Sequence, residues 1–343
     1  MSNKYSIRAT INENDGRVIL NYDQIESPKH HDIVRECRGL VLDRYDNWKL
    51  VARSFTRFFN WEECKSATGL FKWENCICQN KEDGSLANLH YYKGAWHFTT
   101  RGSFGDGKVN DSIFTWKELF DTARVNIGFD YQELMPEYTY VFEMCSRYNK
   151  VVRDYPTPVL YLLSIFEGEK ELDWPTAKFV GQSLNPVGER QFANIDEVNR
   201  FLTTNSENDP TFEGIVLRDR NNLRFKVKSI KYVELHKLNN NGNLASPKNL
   251  IGFIMDNEID EVISYFEDIE PTVREMEAKI NKAYVHLESV WLKSKNIENQ
   301  REFAEYVLRE TPFSGILFTA RKTGESVNKI WRESKETILK KLF

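Results

Sequence analysis

A lysine amine can attack phosphorus, and one stands in a suggestive setting at Lys81-Glu82-Asp83-Gly84-Ser85, between strand-like runs at 76–79 and 86–92. A lysine followed two residues later by Asp-Gly arises by chance in about one chain in ten of this length. On its own the triplet reads as a solvated turn. Three further groups change that weighing: Phe142-Glu143 inside an apolar strand-like run, Glu213-Gly214-Ile215-Val216 opening another, and Lys226-Val227-Lys228 closing the set. Residues 214–219 and 223–228 read as two strands joined at Arg220-Asn221-Asn222, a hairpin. Alternation then turns Phe225 and Val227 to one face and Lys226 and Lys228 to the other. Two ammonium groups aimed from one sheet face at a shared point suit in-line displacement at a phosphate. Taken alone, the hairpin could equally be a solvated basic strand face.

The elements that must position these groups follow from patterning. Short β-type runs (39–42, 140–142, 159–166, 214–217 and 223–227) alternate with Gly, Asn, Asp and Pro punctuation as far as about residue 237. The polar run 239–243 is the predicted linker, which sets domains at 1–243 and 244–343. Beyond it helical periodicity takes over. Val273, Met276, Ile280, Ala283, Leu287 and Val290 form one stripe, predicting a helix over 272–296 with Pro271 near its first turn. A second helix is predicted over 325–342, carrying Val327, Ile330, Trp331, Ile338 and Leu342. Both stripes read as helix packing. The predicted fold class is α+β, antiparallel sheets with flanking helices followed by an all-α domain.

Composition bounds the partners. With 343 residues, 41% hydrophobic and 29% charged, the chain is globular in profile. Its net charge of -4 does not advertise a nucleic-acid binder, so any such contact requires a local basic cleft. No apolar run reaches membrane-spanning length and residues 1–10 lack the apolar stretch of a signal peptide, so no membrane partner and a cytoplasmic location (the host's, for a viral chain) are expected. A monomer is the expected state. Cys37, Cys64, Cys76, Cys78 and Cys145 form no regular disulfide framework and no zinc spacing. His30-His31 reads as surface loop.

In order and surroundings, the four groups resemble the signatures of covalent nucleotidyltransferases: DNA ligases, RNA ligases and messenger-RNA capping enzymes. The closer resemblance is to the RNA ligase 1 family of T-even phages and covers nearly the whole chain. Glu36-Cys37-Arg38-Gly39 matches the family's upstream arginine element. Arg57-Phe58-Phe59-Asn60 resembles its phosphate-contacting Lys/Arg-x-Phe region, and residues 81–86 its nucleophile loop. Arg101-Gly102-Ser103 falls at its Lys-Gly-Ser, and Phe225-Lys226-Val227-Lys228-Ser229 with Tyr232 completes the match. Residues 315–318 and the last helix resemble its helical C-terminal domain less specifically. Arg57 and Arg101 stand where the phage enzyme has lysines, which keeps charge but replaces a point charge with a planar fork.

The resemblance implies a nucleotidyltransferase (ATP-grasp-like ligase) domain and ATP-dependent joining of RNA 5′-phosphate and 3′-hydroxyl ends, with ATP as AMP donor and Mg²⁺ or Mn²⁺. Lys81 would carry AMP, pass it to an RNA 5′-phosphate, and a 3′-hydroxyl would displace it. Glu143 is implied at the ribose hydroxyl, Glu213 at the metal, Lys228 at the α-phosphate and Lys226 at the leaving pyrophosphate. Arg38 and Arg57 would hold phosphates, Phe59 shape their pocket, Arg101 contact RNA or phosphate, and Tyr232 complete the nucleotide site. Gly84 would let backbone approach the nucleotide, and Val216 would face adenine or the core. A free lysine is protonated near neutral pH, so neighbouring cations that favour the neutral amine would assist attack. The expected substrate is single-stranded or broken RNA, including tRNA in a repair role, with the basic bias of residues 321–341 as either an RNA-reading surface or a solvated face. DNA ligases and capping enzymes usually append an OB-fold barrel, whereas residues after 244 read as helical. A non-catalytic RNA-end binder is the remaining alternative.

Overall fold

Alternating apolar residues build three sheets in the first of two units, Met1–His236; the second is Lys237–Phe343. The computed structural model describes residues 3–23, 26–110, 112–230, 232–233, 246–256, 259–260, 263 and 269–343. The predicted linker 239–243 lies outside the described residues.

Strands β1 (Ile7–Ile11), β2 (Arg17–Tyr22), β3 (Arg38–Asp43) and β4 (Lys49–Ala52) form a sheet in that order. The strands that follow are β5 (Phe59–Asn60), β6 (Ile77–Lys81), β7 (Ser85–Tyr92) and β8 (Ala95–Thr100). After them come β9 (Tyr138–Cys145), β10 (Val159–Glu167), β11 (Lys170–Glu171), β12 (Glu189–Arg190), β13 (Gly214–Arg218) and β14 (Arg224–Lys228). A second sheet has the order β11-β10-β9-β7-β8, and a third β12-β6-β13-β14-β5. Pairing is antiparallel except between β14 and β5.

Each of the two larger sheets buries one face under a helix. Leu89, Tyr140, Phe142, Met144, Leu160 and Leu162 of the second sheet pack with Leu119, Phe120 and Ala123 of helix Trp116–Ile127. That helix starts at a Thr115/Glu118 capping box and stops at Gly128 in the left-handed conformation. Cys78, Ile215, Leu217, Phe225 and Val227 of the third sheet pack with Val198 and Leu202 of helix Ile195–Asn208. Phe225 and Val227 therefore face this core, and Lys226 and Lys228 the opposite side, as alternation predicts.

The second unit is helical in its described residues. The predicted helix is observed as Glu270–Ser294, with Val273, Met276, Ile280, Leu287 and Val290 buried. The helix predicted over 325–342 is two, Val327–Glu333 and Lys335–Leu342, divided at Ser334. The Ser334 hydroxyl donates to the Ile330 carbonyl, the back-bonding by which serine competes with a helix's own ladder. Several basic residues of this stretch have partners within the unit. Arg321 donates to the carbonyls of Ile297 and Glu298, Lys329 pairs with Glu325, and Lys335 with Asp256.

Candidate active site

The face of the third sheet opposite helix Ile195–Asn208 carries its side chains in cross-strand rows. In the first, Gly214 pairs with Lys81 on one side and Lys228 on the other. In the next, Val216 lies between Gln79 and Lys226, and Val216 is half-buried against that row. Gly214 has no alternative: a Cβ there would meet the Val227 carbonyl oxygen at 2.2 Å. Glu213, just before β13, is 5% exposed and its carbonyl accepts from the Ser229 amide at 2.8 Å. Its Oε1 takes Lys81 Nζ at 2.6 Å and Lys228 Nζ at 3.1 Å. Two ammonium groups thus flank one carboxylate oxygen. Lys228 also lies 5.5 Å over the ring of buried Tyr232.

Glu143 comes from the second sheet, in register with Leu86 and Tyr161. Burial pushes its carboxyl up to about 8 against the pull of Lys81; Glu213 adds to the rise and Arg38 opposes it. The ligand-free protein therefore favours a protonated Glu143 near neutral pH. It keeps a carbonyl acceptor and gains a donor, either of which can meet a hydroxyl.

Basic groups gather around Tyr22. Burial raises the Tyr22 phenol, but Arg101, Arg38, Arg57 and Lys226 together bring it below the ordinary tyrosine value. Arg101 stacks 5.5 Å over the Tyr22 ring. Arg57 lies 4.4 Å over Phe59 and pairs with Glu63 at 3.3 Å, while His30 stacks on Phe59 at 4.7 Å. The loop histidines thus have duties: His31 caps helix Asp32–Glu36 through Nδ1, and His30 covers Phe59. Gly39 sits where the β2–β3 register shifts, at φ +79°, and a Cβ there would lie 3.2 Å from the Arg101 Cα. That close approach is what the glycine after Arg38 permits.

Gly84 has a reason within the fold itself. A Cβ on it would meet the Met144 carbonyl oxygen at 2.4 Å and Cys145 Sγ at 2.7 Å. Its bare backbone fits the loop onto β9. Sequence reasoning does not single out Tyr22, because a tyrosine ending a strand carries no local mark of the distant cations that surround it. All five cysteines are free, with Cys76 and Cys78 buried in the third sheet's core.

The arrangement can present an amine beside an acid, with a second amine on the same oxygen and a bank of cations beyond. Buried Arg38 Nη1 and Arg57 Nη1 have no protein partner, and two such unmet donors suit a polyanion held there. Such chemistry is shared by several enzyme classes, and sequence similarity decides among them. An RNA ligase family model matches residues 36–232. The chain belongs to the RNA ligase family. That match spans Arg38, Lys81, Glu143, Glu213, Lys228 and Tyr232, the residues just described.

A putative bifunctional polynucleotide kinase/RNA ligase of Autographa californica nuclear polyhedrosis virus is 27% identical over 334 residues, covering 89% of this chain and 45% of that protein. The chain thus spans about half the length of this relative. Among solved structures, an archaeal ATP-dependent RNA ligase superposes with a TM-score of 0.50 at 15% identity, over 88% of this chain and 82% of its own. A putative ATP-dependent DNA ligase from Aquifex aeolicus does so with a TM-score of 0.50 at 13% identity, over 82% and 77%. At such identities these two share the fold with this chain. No helix among the described residues is long and apolar enough to cross a membrane.

Proposed function

We propose that this chain is an ATP-dependent RNA ligase that joins a 5′-phosphate to a 3′-hydroxyl through AMP carried on Lys81. The observation that carries this reading is the Lys81–Glu213–Lys228 cluster on one sheet face, inside the region matched to the RNA ligase family. In the first step Lys81 Nζ attacks the α-phosphorus of ATP; an N–P bond forms, the P–O bond to pyrophosphate breaks, and the amine's protons are released. AMP then moves to an RNA 5′-phosphate oxygen, and an RNA 3′-hydroxyl displaces it.

The amine must be neutral to attack. Glu213 Oε1 stands 2.6 Å from that nitrogen and 3.1 Å from Lys228 Nζ. Lys228 would bind the α-phosphate and Lys226 the departing pyrophosphate, where charge develops. Arg38, Arg57 and Arg101 would hold the remaining phosphates, with Phe59 and Tyr22 setting their geometry. Val216 would meet adenine and Glu143 the ribose hydroxyls.

Among the described residues no three His, Cys, Asp or Glu side chains are arranged to hold a metal. Glu213 nonetheless offers the hard oxygen that Mg²⁺ or Mn²⁺ prefers, with phosphate and water to complete the shell. When bound, such an ion would neutralise phosphate charge and loosen the hold of Glu213 on the Lys81 ammonium.

The substrate class is tested by presenting 5′-phosphate, 3′-hydroxyl single-stranded RNA, broken tRNA and nicked DNA duplex with ATP. Sealing of RNA ends is expected, with nicked DNA at least about tenfold slower, a difference of roughly 1.4 kcal/mol. Preferential sealing of nicked DNA would overturn the assignment. Tighter activity on tRNA halves than on linear RNA would support a tRNA repair role.

Glu143 provides a pH signature. Because its folded value is raised, the protonated form adds stability that is fully present below the unfolded carboxyl value and is lost as pH rises through about 8. Glu143→Gln keeps a neutral side chain at every pH. In chelator and without nucleotide, the variant should gain a few kcal/mol over the parent between pH 5 and pH 9. Parallel stability curves in denaturant across that range would contradict the buried neutral acid.

A further inference from the structure

The loop carrying the nucleophile has no sheet partner of its own. Lys81 ends β6, paired with Gly214, and Ser85 begins β7, paired with Met144. Residues 82–84 between them lie outside both ladders, so side chains must fix them. The segment that follows β9 provides those contacts. Tyr155, 7% exposed, donates its hydroxyl to Glu82 Oε2 at 2.8 Å and accepts from the Asp83 amide at 3.3 Å. One hydroxyl can do both, having a proton and two lone pairs.

Asp83 completes the tie. Its Oδ2 accepts from the Val152 and Arg153 amides, each at 2.7 Å. Burial and the charge of Glu213 raise the Asp83 carboxyl; the two amides and Lys81 oppose the rise. Asn149 Nδ2 donates to Ser85 Oγ at 3.0 Å and to the Met144 carbonyl at 2.7 Å. Arg153 pairs with Asp209 at 3.1 Å and lies 5.5 Å over the Tyr155 ring, which fixes the segment in turn.

We propose that Tyr155 is a positioning residue for AMP transfer: its hydroxyl, with the Asp83 carboxylate, locks the 82–84 backbone so that Lys81 is held in line with the α-phosphorus. This rests on the reading of Lys81 as nucleophile. The ring serves packing, and the oxygen serves the loop. A loop freed by even one such bond samples conformations in which the amine is off line, and small misplacements at a reacting centre cost up to about a hundredfold in rate.

Tyr155→Phe removes the oxygen and keeps the ring. With α-labelled ATP in single turnover, the rate of AMP transfer at saturating ATP should fall roughly 10- to 100-fold, with half-saturating ATP within about twofold. Amide exchange across 82–85 should quicken about tenfold while helix Ile195–Asn208 exchanges as in the parent and the melting temperature falls by no more than about 5 °C. A rate within twofold of the parent would overturn the proposal, as would unchanged exchange at 82–85. So would weaker ATP binding at an unchanged saturating rate, which would make the ring a wall of the nucleotide pocket. A parent protein that takes up no AMP would remove the nucleophile reading and this proposal with it. A labelled parent with an unaffected variant removes the positioning role alone.

Discussion

Lys81→Arg is expected to fold as the parent does and to take up no AMP, a loss of roughly 10⁴-fold or more in the first step. Arginine keeps a positive charge within reach of Glu213, so the ion pair that Lys81 makes at 2.6 Å has a replacement. It cannot supply the neutral amine that attack needs, because a guanidinium stays protonated in proteins. The variant therefore separates covalent chemistry from electrostatic help. If Lys81 served only to steady phosphate charge, arginine would retain much of the activity and AMP transfer would fall by less than about a hundredfold. Gel separation under denaturing conditions after exposure to α-labelled ATP reads the difference. Sealing of RNA that has been adenylylated in advance should fall far less, since that step no longer needs the amine as nucleophile.

Glu171→Ala should lower the unfolding free energy of the first unit by about 3–5 kcal/mol, the usual cost of leaving a buried charge without its partner. The third row on the face that carries Lys81 and Lys228 is Arg218 beside Arg224. These two arginines are 1% and 6% exposed. Glu171 of the second sheet meets both: Arg218 Nη2 at 3.1 Å and Arg224 Nη1 at 2.8 Å, with Ser164 donating to the same carboxylate. Burial and the neighbouring Arg224 disfavour the charge on Arg218, and Glu171, with Asp173, opposes them in part. One acid thus joins the sheet that carries Glu143 to the sheet that carries Lys81. Urea unfolding followed by tryptophan emission measures the loss, with Trp174 near Arg218 as reporter. A change below about 1 kcal/mol would show that the pair is not a load on the fold.

How much of this is legible in the sequence depends on the range over which each feature is decided. The hairpin of β13 and β14, its turn at 220–222 and the opposed faces of Val227 and Lys228 follow from alternation within fifteen residues, and the structure has them with each strand one residue shorter at the turn. The stripe from Val273 to Val290 is equally local and yields the long helix. Helices Trp116–Ile127 and Ile195–Asn208 escape a reading by apolar runs, although their caps at Thr115 and Asn194 are written in the chain. Ser334 interrupts what periodicity alone would continue. Features decided by distant strands leave no local trace. Tyr22 gains its cations from residues at 38, 57, 101 and 226, and Glu171 its two arginines from a different sheet. Tyr155 is separated by seventy-odd residues from the loop it grips, and nothing in its neighbourhood marks it. Motif residues announce a chemistry, while the groups that hold them in place become visible only once the sheets are assembled.

The central claim is a covalent bond between one lysine and AMP, and peptide mapping tests it most directly. The protein is incubated with ATP and Mg²⁺, denatured, digested and analysed by mass spectrometry under conditions that preserve a phosphoramidate. An AMP adduct on the peptide containing Lys81, and at no other lysine, is the predicted result. AMP found on Lys226 or Lys228, or ATP consumed and RNA sealed with no adduct trapped on Lys81, would contradict it.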